Sequence, residues 1–539
     1  MSETFQLLLP QTILAGMACL FFLGGTFPVA PRRWGPLALL ALVAAGGALC
    51  YSAGLGATGP RLSAVVQTPV SIGIQWVCLA LGALLAMTAQ GAQSTSRSAA
   101  EFYGMLLLVV AGVMLVAMAQ DLILLFLALE LISLPTYVLL YLGRNNHYSQ
   151  EATTKYFLLS ILSAAVLLYG FALIYGLTGN TRLDAIQEVL AATYQAPAGL
   201  PPTGGSVLGV VALVLVFAGL GFKVAAVPFH FYAPDVYEGT SAFNAGLLAI
   251  MPKLAGFVAL IHVATRSLTG FETTGQQLAL ILAAITMTGG NCLALHQTNI
   301  RRLLAYSSIA HAGYILIGIA VAFWENWNPE LRLNRAAGEG LMGLPGGVEA
   351  SLLYLLAYSL TSVGLFAVLV YLHRPGKQVD HVDELTGLGY SHPLLASCMA
   401  LFLFSLAGIP PLPGFWAKLS IFASALSVRQ EIPGAVAAIH PAFLWLAVIG
   451  VVNAAIGGVY YLRLVSLMFL YQPLSVARPA GGRPALIAVF CSAAMVLGIG
   501  LAPRSIFEYL QRIPQRGDSQ AAMTTLALPN GIDAAQGHE

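Results

Sequence analysis

A chain of 539 residues with 58% hydrophobic and 9% charged side chains, and a mean hydropathy of +0.81, is excluded from the soluble globular class and reads as an all-α polytopic membrane protein. A formal net charge of +2 gives no support to nucleic acid or an acidic macromolecule as a partner. The cysteines Cys19, Cys50, Cys78, Cys292, Cys398 and Cys491 stand singly in apolar segments, which reads as packing and leaves no metal, iron–sulfur or disulfide framework.

Residues 1–10 lack a basic stretch ahead of their apolar run, so a cleaved signal peptide is not expected. Apolar runs predict fourteen spans near 8–29, 35–54, 69–89, 102–119, 121–142, 155–177, 206–229, 242–264, 276–296, 303–323, 350–372, 393–424, 441–464 and 484–502. Each is long enough to cross a core ~30 Å thick. An even number puts both termini on one side. With the termini outside, the inner connections hold twelve Lys and Arg residues and the outer ones six, with three more in the tail, so both termini are expected on the outer side. The long connection at 325–349 and a polar tail at 517–539, expected to be disordered, carry no chemical motif.

Charge inside the spans is rare and of one type. Of five lysines, Lys223, Lys253 and Lys418 lie within apolar segments, whereas all nineteen arginines fall in loops, at span ends or in the tail. A cation in hydrocarbon costs roughly 2.5–3.5 kcal/mol on insertion scales, so an intramembrane lysine marks a functional site by default. Arginine keeps its proton, while a lysine taken out of water can exchange one near neutral pH. The three lysines therefore read as a row of proton-exchanging sites. A structural alternative stays open for each, because an ammonium can cap a broken helix by binding its free carbonyls.

Glu130 lies nine residues into span five, about 13 Å deep at ~1.5 Å per residue. Lys253 is at similar depth in span eight. Glu130 reads either as a neutral, hydrogen-bonded carboxyl or as an ion-pair partner of Lys223 that a neighbouring charge can tip. Pro228 follows Lys223 by five residues, and Lys418 follows Pro413 by five. Proline frees carbonyls at depth by interrupting a helix, and paired interrupted helices point to a transporter's binding sites. Spans seven and twelve are five apart, and a five-helix unit inverts when duplicated. This predicts two inverted five-helix repeats with two broken helices, and Lys223 and Lys418 in equivalent places. Residues 1–101 then hold spans one to three, 102–264 the first repeat, 265–465 the second and 466–516 the last span.

His230 near a span end and His311 deep in span ten are each either satisfied polar residues or proton relays, with the serines and Tyr306 beside His311 able to hold water. Lys155 is either a relay or an interfacial anchor that snorkels. Asp235 and Glu238 are expected in a loop, fixing it. No nucleotide-binding glycine loop, nucleophile–base pair or cofactor ligand set is present in the sequence. The chain reads as one that moves ions.

The runs Phe222-Lys223 to Phe229-His230, Pro234-Asp235-Val236-Tyr237-Glu238-Gly239, Gln297 to Tyr314 and Gly408 to Lys418 resemble the subunit N family of NADH-quinone oxidoreductase, respiratory complex I, over spans two to fourteen. The Asp-Val-Tyr-Glu-Gly form separates it from the sister subunits L and M. The resemblance implies fourteen helices with two inverted repeats, related to Mrp-type cation/proton antiporters. By motif match Glu130, in Leu129-Glu130-Leu131-Ile132-Ser133, corresponds to the essential glutamate of span five and Lys223 to its partner. Lys253 corresponds to a lysine bridging two half-channels, and Lys418 to the terminal lysine of the second. Proton translocation driven by quinone reduction elsewhere is implied, with NADH, FMN, iron–sulfur clusters and quinone on partner subunits and no cofactor on this chain. The implied partners are other membrane-arm subunits, especially an adjacent M-type subunit, small membrane subunits and lipids, in a bacterial plasma (inner) membrane. A subunit of an Mrp-type sodium/proton antiporter or membrane-bound hydrogenase, and a non-pumping scaffold, are the alternatives. The sequence departs from the family at Thr240-Ser241-Ala242-Phe243, where a small-Pro-Thr run is usual, and at Ala417, where glycine is usual.

Overall fold

A computed structural model describes residues 3–54, 64–143, 147–194, 206–266, 270–327, 346–374, 377–430, 438–473, 478–479, 481–504 and 506–509. The tail at 517–539 and most of the 325–349 connection lie outside the described residues. The helices are α1 (Glu3–Leu7), α2 (Leu9–Gly24), α3 (Trp34–Gly54), α4 (Pro69–Gln93), α5 (Ala99–Met118), α6 (Leu122–Gly143), α7 (His147–Thr178), α8 (Leu183–Thr193), α9 (Val207–Val224), α10 (Tyr232–Gly239) and α11 (Ala242–Arg266). They continue as α12 (Glu272–Leu295), α13 (Ile300–Trp327), α14 (Gly347–Tyr371), α15 (Leu388–Ser391), α16 (Pro393–Ala407), α17 (Pro413–Leu426), α18 (Pro441–Leu470) and α19 (Gly482–Leu501). Among the described residues the extended structure is confined to strands of two or three residues at 372–374, 377–378, 429–430, 438–439 and 478–479 and to the single bridges Val65–Ala119, Asp121–Arg182 and Asn299–His381.

Among the described residues twelve helices are long and apolar enough to span a membrane, with Leu9–Gly24 and Pro393–Ala407 as shorter apolar ones. Each predicted span thus has its helix, two of them interrupted. Span six starts earlier than expected, at His147. The connection after it contains α8, absent from the sequence reading, whose Leu183, Ile186 and Leu190 form a buried face at helical spacing.

Burial places the centre of the bundle. The apolar windows of α11 and α13 are wholly buried and that of α14 is 94% buried, while those of α7, α12, α18 and α19 are less than half buried. The polar residues buried in the central helices must therefore find their partners within the bundle. Sequence sets several helix starts. Thr68 and Ser71 exchange bonds as a capping box for α4, and Asn299 Oδ1 accepts from the Arg301 and Arg302 amides to start α13.

Proline does not always interrupt. Pro135 lies inside α6 and Pro252 inside α11, both continuous. The breaks come where the chain turns left-handed: α9 ends at Ala225 (φ 59) and α16 at Gly408 (φ 89). In each, the amide two residues beyond the last helical one bonds five residues back, Ala226 to the Gly221 carbonyl (2.8 Å) and Ile409 to that of Phe404 (3.0 Å). Two expectations need correction. Lys223 sits before its break, in the last turn of α9, whereas Lys418 sits after its break, in α17, so the two are not equivalent along the chain. Asp235 and Glu238 lie on α10, a helix and not a loop.

Candidate functional site

Lys223 reaches from the end of α9 to α6. Its Nζ is 3.3 Å from Glu130 Oε1 and donates to Ser133 Oγ at 2.5 Å. The Lys223 side chain is 3% exposed and that of Glu130 19%. Ser133, one helical turn from Glu130, donates its own hydroxyl hydrogen bond to the Leu129 carbonyl at 2.8 Å, so its oxygen is free to accept. Opposite charges with so little water are costly to separate, and one left alone is costlier still.

Lys253, buried at the middle of α11, has a different environment. Its ammonium donates to the Ser308 carbonyl and, at 2.5 Å, to Ser308 Oγ, and lies 5.1 Å from the centre of the Tyr358 ring. Tyr358 donates to the same Ser308 hydroxyl at 2.8 Å. Among the described residues no carboxylate pairs with Lys253 or Lys418. One turn along α13, buried His311 stands between two tyrosine hydroxyls, Tyr354 at 2.7 Å from Nδ1 and Tyr461 at 2.9 Å from Nε2, and Tyr461 also hydrogen-bonds Ser307. The adjacent Tyr460 donates to Asn291 (3.0 Å), which in turn binds Asn453 (3.2 Å), so a buried polar seam continues between α12 and α18.

Lys418 folds back across its break. Its Nζ donates to the carbonyls of Leu406 (3.0 Å) and Ala407 (2.8 Å), the last residues of α16, and lies 5.3 Å from the centre of the Tyr314 ring. The capping alternative therefore describes its contacts. A cavity of about 10 Å³ between His311 and Lys418, also lined by Tyr354, Thr361 and Ser405, is enough for roughly one water centre.

The structure thus joins Glu130 with Lys223, and lines up Lys253, His311 and Lys418 through α13. It does not bring Lys155 or His230 into this row. Lys155 lies at the arginine-rich end, pairing with Glu151 (2.7 Å) and Asp235 (3.0 Å). His230 is half-buried between α9 and α10, its Nδ1 without a hydrogen-bond partner among the described residues. Sequence reasoning missed Ser133, Tyr354, Tyr358 and Tyr461. The first was signalled by its helical spacing from Glu130, and Tyr354 and Tyr358 by their mutual spacing of four; Tyr461, 150 residues from His311, gave no local signal. It also missed Arg301, which is 2% exposed, pairs with Asp380 at 2.7 Å and donates to the Thr240 carbonyl. The unusual Thr240 is thus the residue that closes α10. Beside it Arg302 binds Asp235 (2.9 Å) and Glu238 (2.8 Å).

Comparison with known proteins gives this geometry a family. Residues 119–329 and 340–459 match the family described as NADH:quinone oxidoreductase/Mrp antiporter, TM. NADH-quinone oxidoreductase subunit N of Rhodospirillum rubrum is 33% identical over 94% of this chain and 97% of its own. F(420)H(2) dehydrogenase subunit N of Methanosarcina mazei is 36% identical over 80% of each. Among solved structures, a chain of respiratory complex I from Thermus thermophilus with bound Aureothin superposes with a TM-score of 0.72 at 31% identity, covering 93% of this chain and 99% of that one. One from the Mrp complex of Dietzia shares the fold at a TM-score of 0.74 and 22% identity, covering 94% and 96%. Matched over more than half its length and a third identical to relatives along most of theirs, the chain belongs to the NADH:quinone oxidoreductase/Mrp antiporter family of multi-pass membrane proteins, in its subunit N branch.

Proposed function

We propose that the chain is a proton-translocating membrane-arm subunit of an NADH:quinone oxidoreductase, with Glu130, Lys223, Lys253, His311 and Lys418 as its proton-exchanging groups. The observation that carries this reading is the row itself: three buried lysines and a buried histidine, begun by the ion pair with Glu130, with hydroxyls bonded to Lys223, Lys253 and His311 and helix-end carbonyls to Lys418. Quinone reduction elsewhere in the complex shifts a charge near Glu130, and the pair with Lys223 tightens or opens. At an effective dielectric of about 20, two unit charges ~7 Å apart interact by roughly 2 kcal/mol, more than the ~1.4 kcal/mol of one pKa unit. Neighbouring sites in such a row therefore sense each other's protonation. Ser308 and Tyr358 carry the disturbance from Lys253 to His311, and the water-sized cavity carries it to Lys418.

The redox groups, FMN and iron–sulfur clusters, and the NADH and quinone sites belong in this reading to partner subunits. This chain sits among antiporter-like and small subunits of the membrane arm, in a bacterial plasma (inner) membrane with both termini outside. Lys155 serves the inner surface, and His230 has no part in the row. The test is proton uptake alongside NADH-driven quinone reduction in vesicles carrying Glu130→Gln, with assembly checked on the same sample. Loss of both in an intact complex is expected; wild-type values for both make the chain a scaffold.

A further inference from the structure

The Asp-Val-Tyr-Glu-Gly run has no place in the proton row, yet it folds into α10, and α10 touches both ends of the first half of that row. At its start Tyr232 donates from its hydroxyl to the Phe222 carbonyl at 3.0 Å and stacks on the Phe222 ring, with centroids 4.2 Å apart. Phe222 precedes Lys223, and its carbonyl, in the last turn of α9, also accepts from the Ala225 amide that closes the helix at 3.0 Å. Tyr156 of α7 packs on both rings. Further along, α10, with buried Tyr237, packs against α13 and α11, which carry Ser308 and Lys253.

The other side of α10 is held by charge. Asp235 is shared between Lys155 of α7 and Arg302 of α13, Glu238 takes the second bond from Arg302, and Arg301 donates to the carbonyl of Thr240, where the helix ends. Gly239 lets this end rest on α7, since a methyl there would come within 2.7 Å of the Tyr148 carbonyl and of Ala152. An eight-residue helix tied at four points to two neighbours moves as a body or not at all.

We propose that α10 is a strut: Tyr232 is the positioning residue for Lys223, and the charge cluster at the arginine-rich end sets, through α10, how closely Lys223 approaches Glu130. This rests on the translocation reading only for its biological use; the geometric claim stands apart from it. Glu130 faces Lys223 from α9, Tyr156 from α7 and Tyr137 from its own helix, while α5 and α11, also packed on α6, bring no ion-pairing group to it among the described residues. Among the described residues Lys223 is therefore its one ion-pair partner.

The experiment is an infrared titration of the Glu130 carboxyl band in the assembled, membrane-embedded complex, the band being assigned by its absence in Glu130→Gln. Tyr232→Phe keeps the stacked ring and removes only the hydroxyl. Its midpoint is expected to move by about half a pH unit or more. Arg302→Gln moves it the same way, Asp235→Asn does so by a second route, and Arg302→Lys restores the wild-type midpoint. An unchanged midpoint in Tyr232→Phe, even with slowed turnover, overturns the proposal, as does a shift there without one in Arg302→Gln or Asp235→Asn. Pumping that persists in Glu130→Gln sinks the translocation reading and leaves the strut intact.

Discussion

Gly256 lies directly against Lys223. Three residues along α11 from Lys253, it has no side chain, and a methyl at that position would stand 3.2 Å from Lys223 Cβ and 2.7 Å from Val224 Cγ1. The end of the broken helix and the helix that carries the next lysine thus approach each other through this one glycine. Gly256→Ala is expected to push α9 away from α11 and to cost about 1–3 kcal/mol of overpacking. A lower thermal midpoint of the assembled complex, with a fall in protons moved per NADH, checks it; unchanged values in both mean that the contact relaxes freely.

Lys418 offers a way to separate capping from proton exchange. Arginine keeps a charge and donors for the Leu406 and Ala407 carbonyls but does not release its proton. Lys418→Arg is therefore expected to assemble and melt like the wild type while losing most proton translocation. Full pumping by that variant means that Lys418 is a cap and nothing more. Lys418→Met, which leaves two buried carbonyls without their donor, is expected to cost about 1–3 kcal/mol in stability.

Gly408 is confined twice over. Its φ of 89° is one that other residues reach at a cost of roughly 1–2 kcal/mol, and a methyl there would meet Lys418 Cδ at 2.9 Å. Gly408→Ala is predicted to lower the melting temperature and to slow turnover together, because the same atom strains the break and displaces the lysine. A drop in stability with normal turnover removes the second half of this argument.

Tyr461 holds both His311 and Ser307. Tyr461→Phe strips the hydroxyl and leaves a buried ring nitrogen without its partner, a loss of about 1–3 kcal/mol. Turnover is expected to fall several-fold with assembly preserved, and the pH at half-maximal rate to shift, since the neighbour of a titrating group has been removed. A rate and profile like the wild type show that His311 lies off the path.

The spans were legible because hydrocarbon imposes a length and a composition that few other structures share. Glu130 and Lys223 were legible as a pair for a similar reason: two ionisable groups at depth have few places to go. Elsewhere the signal was weaker than the packing. Pro234 and the acids around it read as a loop, yet proline is tolerated in the first turn of a helix, where its missing amide has no intrahelical partner, and α10 starts two residues before it. Equal spacing of Lys223 and Lys418 from a proline hid the fact that the two count in opposite directions, since Pro228 follows the end of α9 while Pro413 opens α17. The hydroxyls around Lys253 and His311 come from α13, α14 and α18, and only tertiary packing brings them together.

That difference in chain position has an electrostatic consequence. The carboxyl end of a helix carries a partial negative charge, because its last carbonyls point outward unpaired. Lys223 projects from the last turn of α9, and Lys418, although it belongs to the following half-helix, lays its ammonium on the last carbonyls of α16. Each lysine is thus tied to the negative pole of a first half-helix, Lys223 by its place in the last turn of α9, with its ammonium on Glu130 and Ser133 of α6, and Lys418 by its ammonium from across the gap. The two halves of the chain bring a lysine to the same kind of pole with residues that an alignment of one half on the other would not pair.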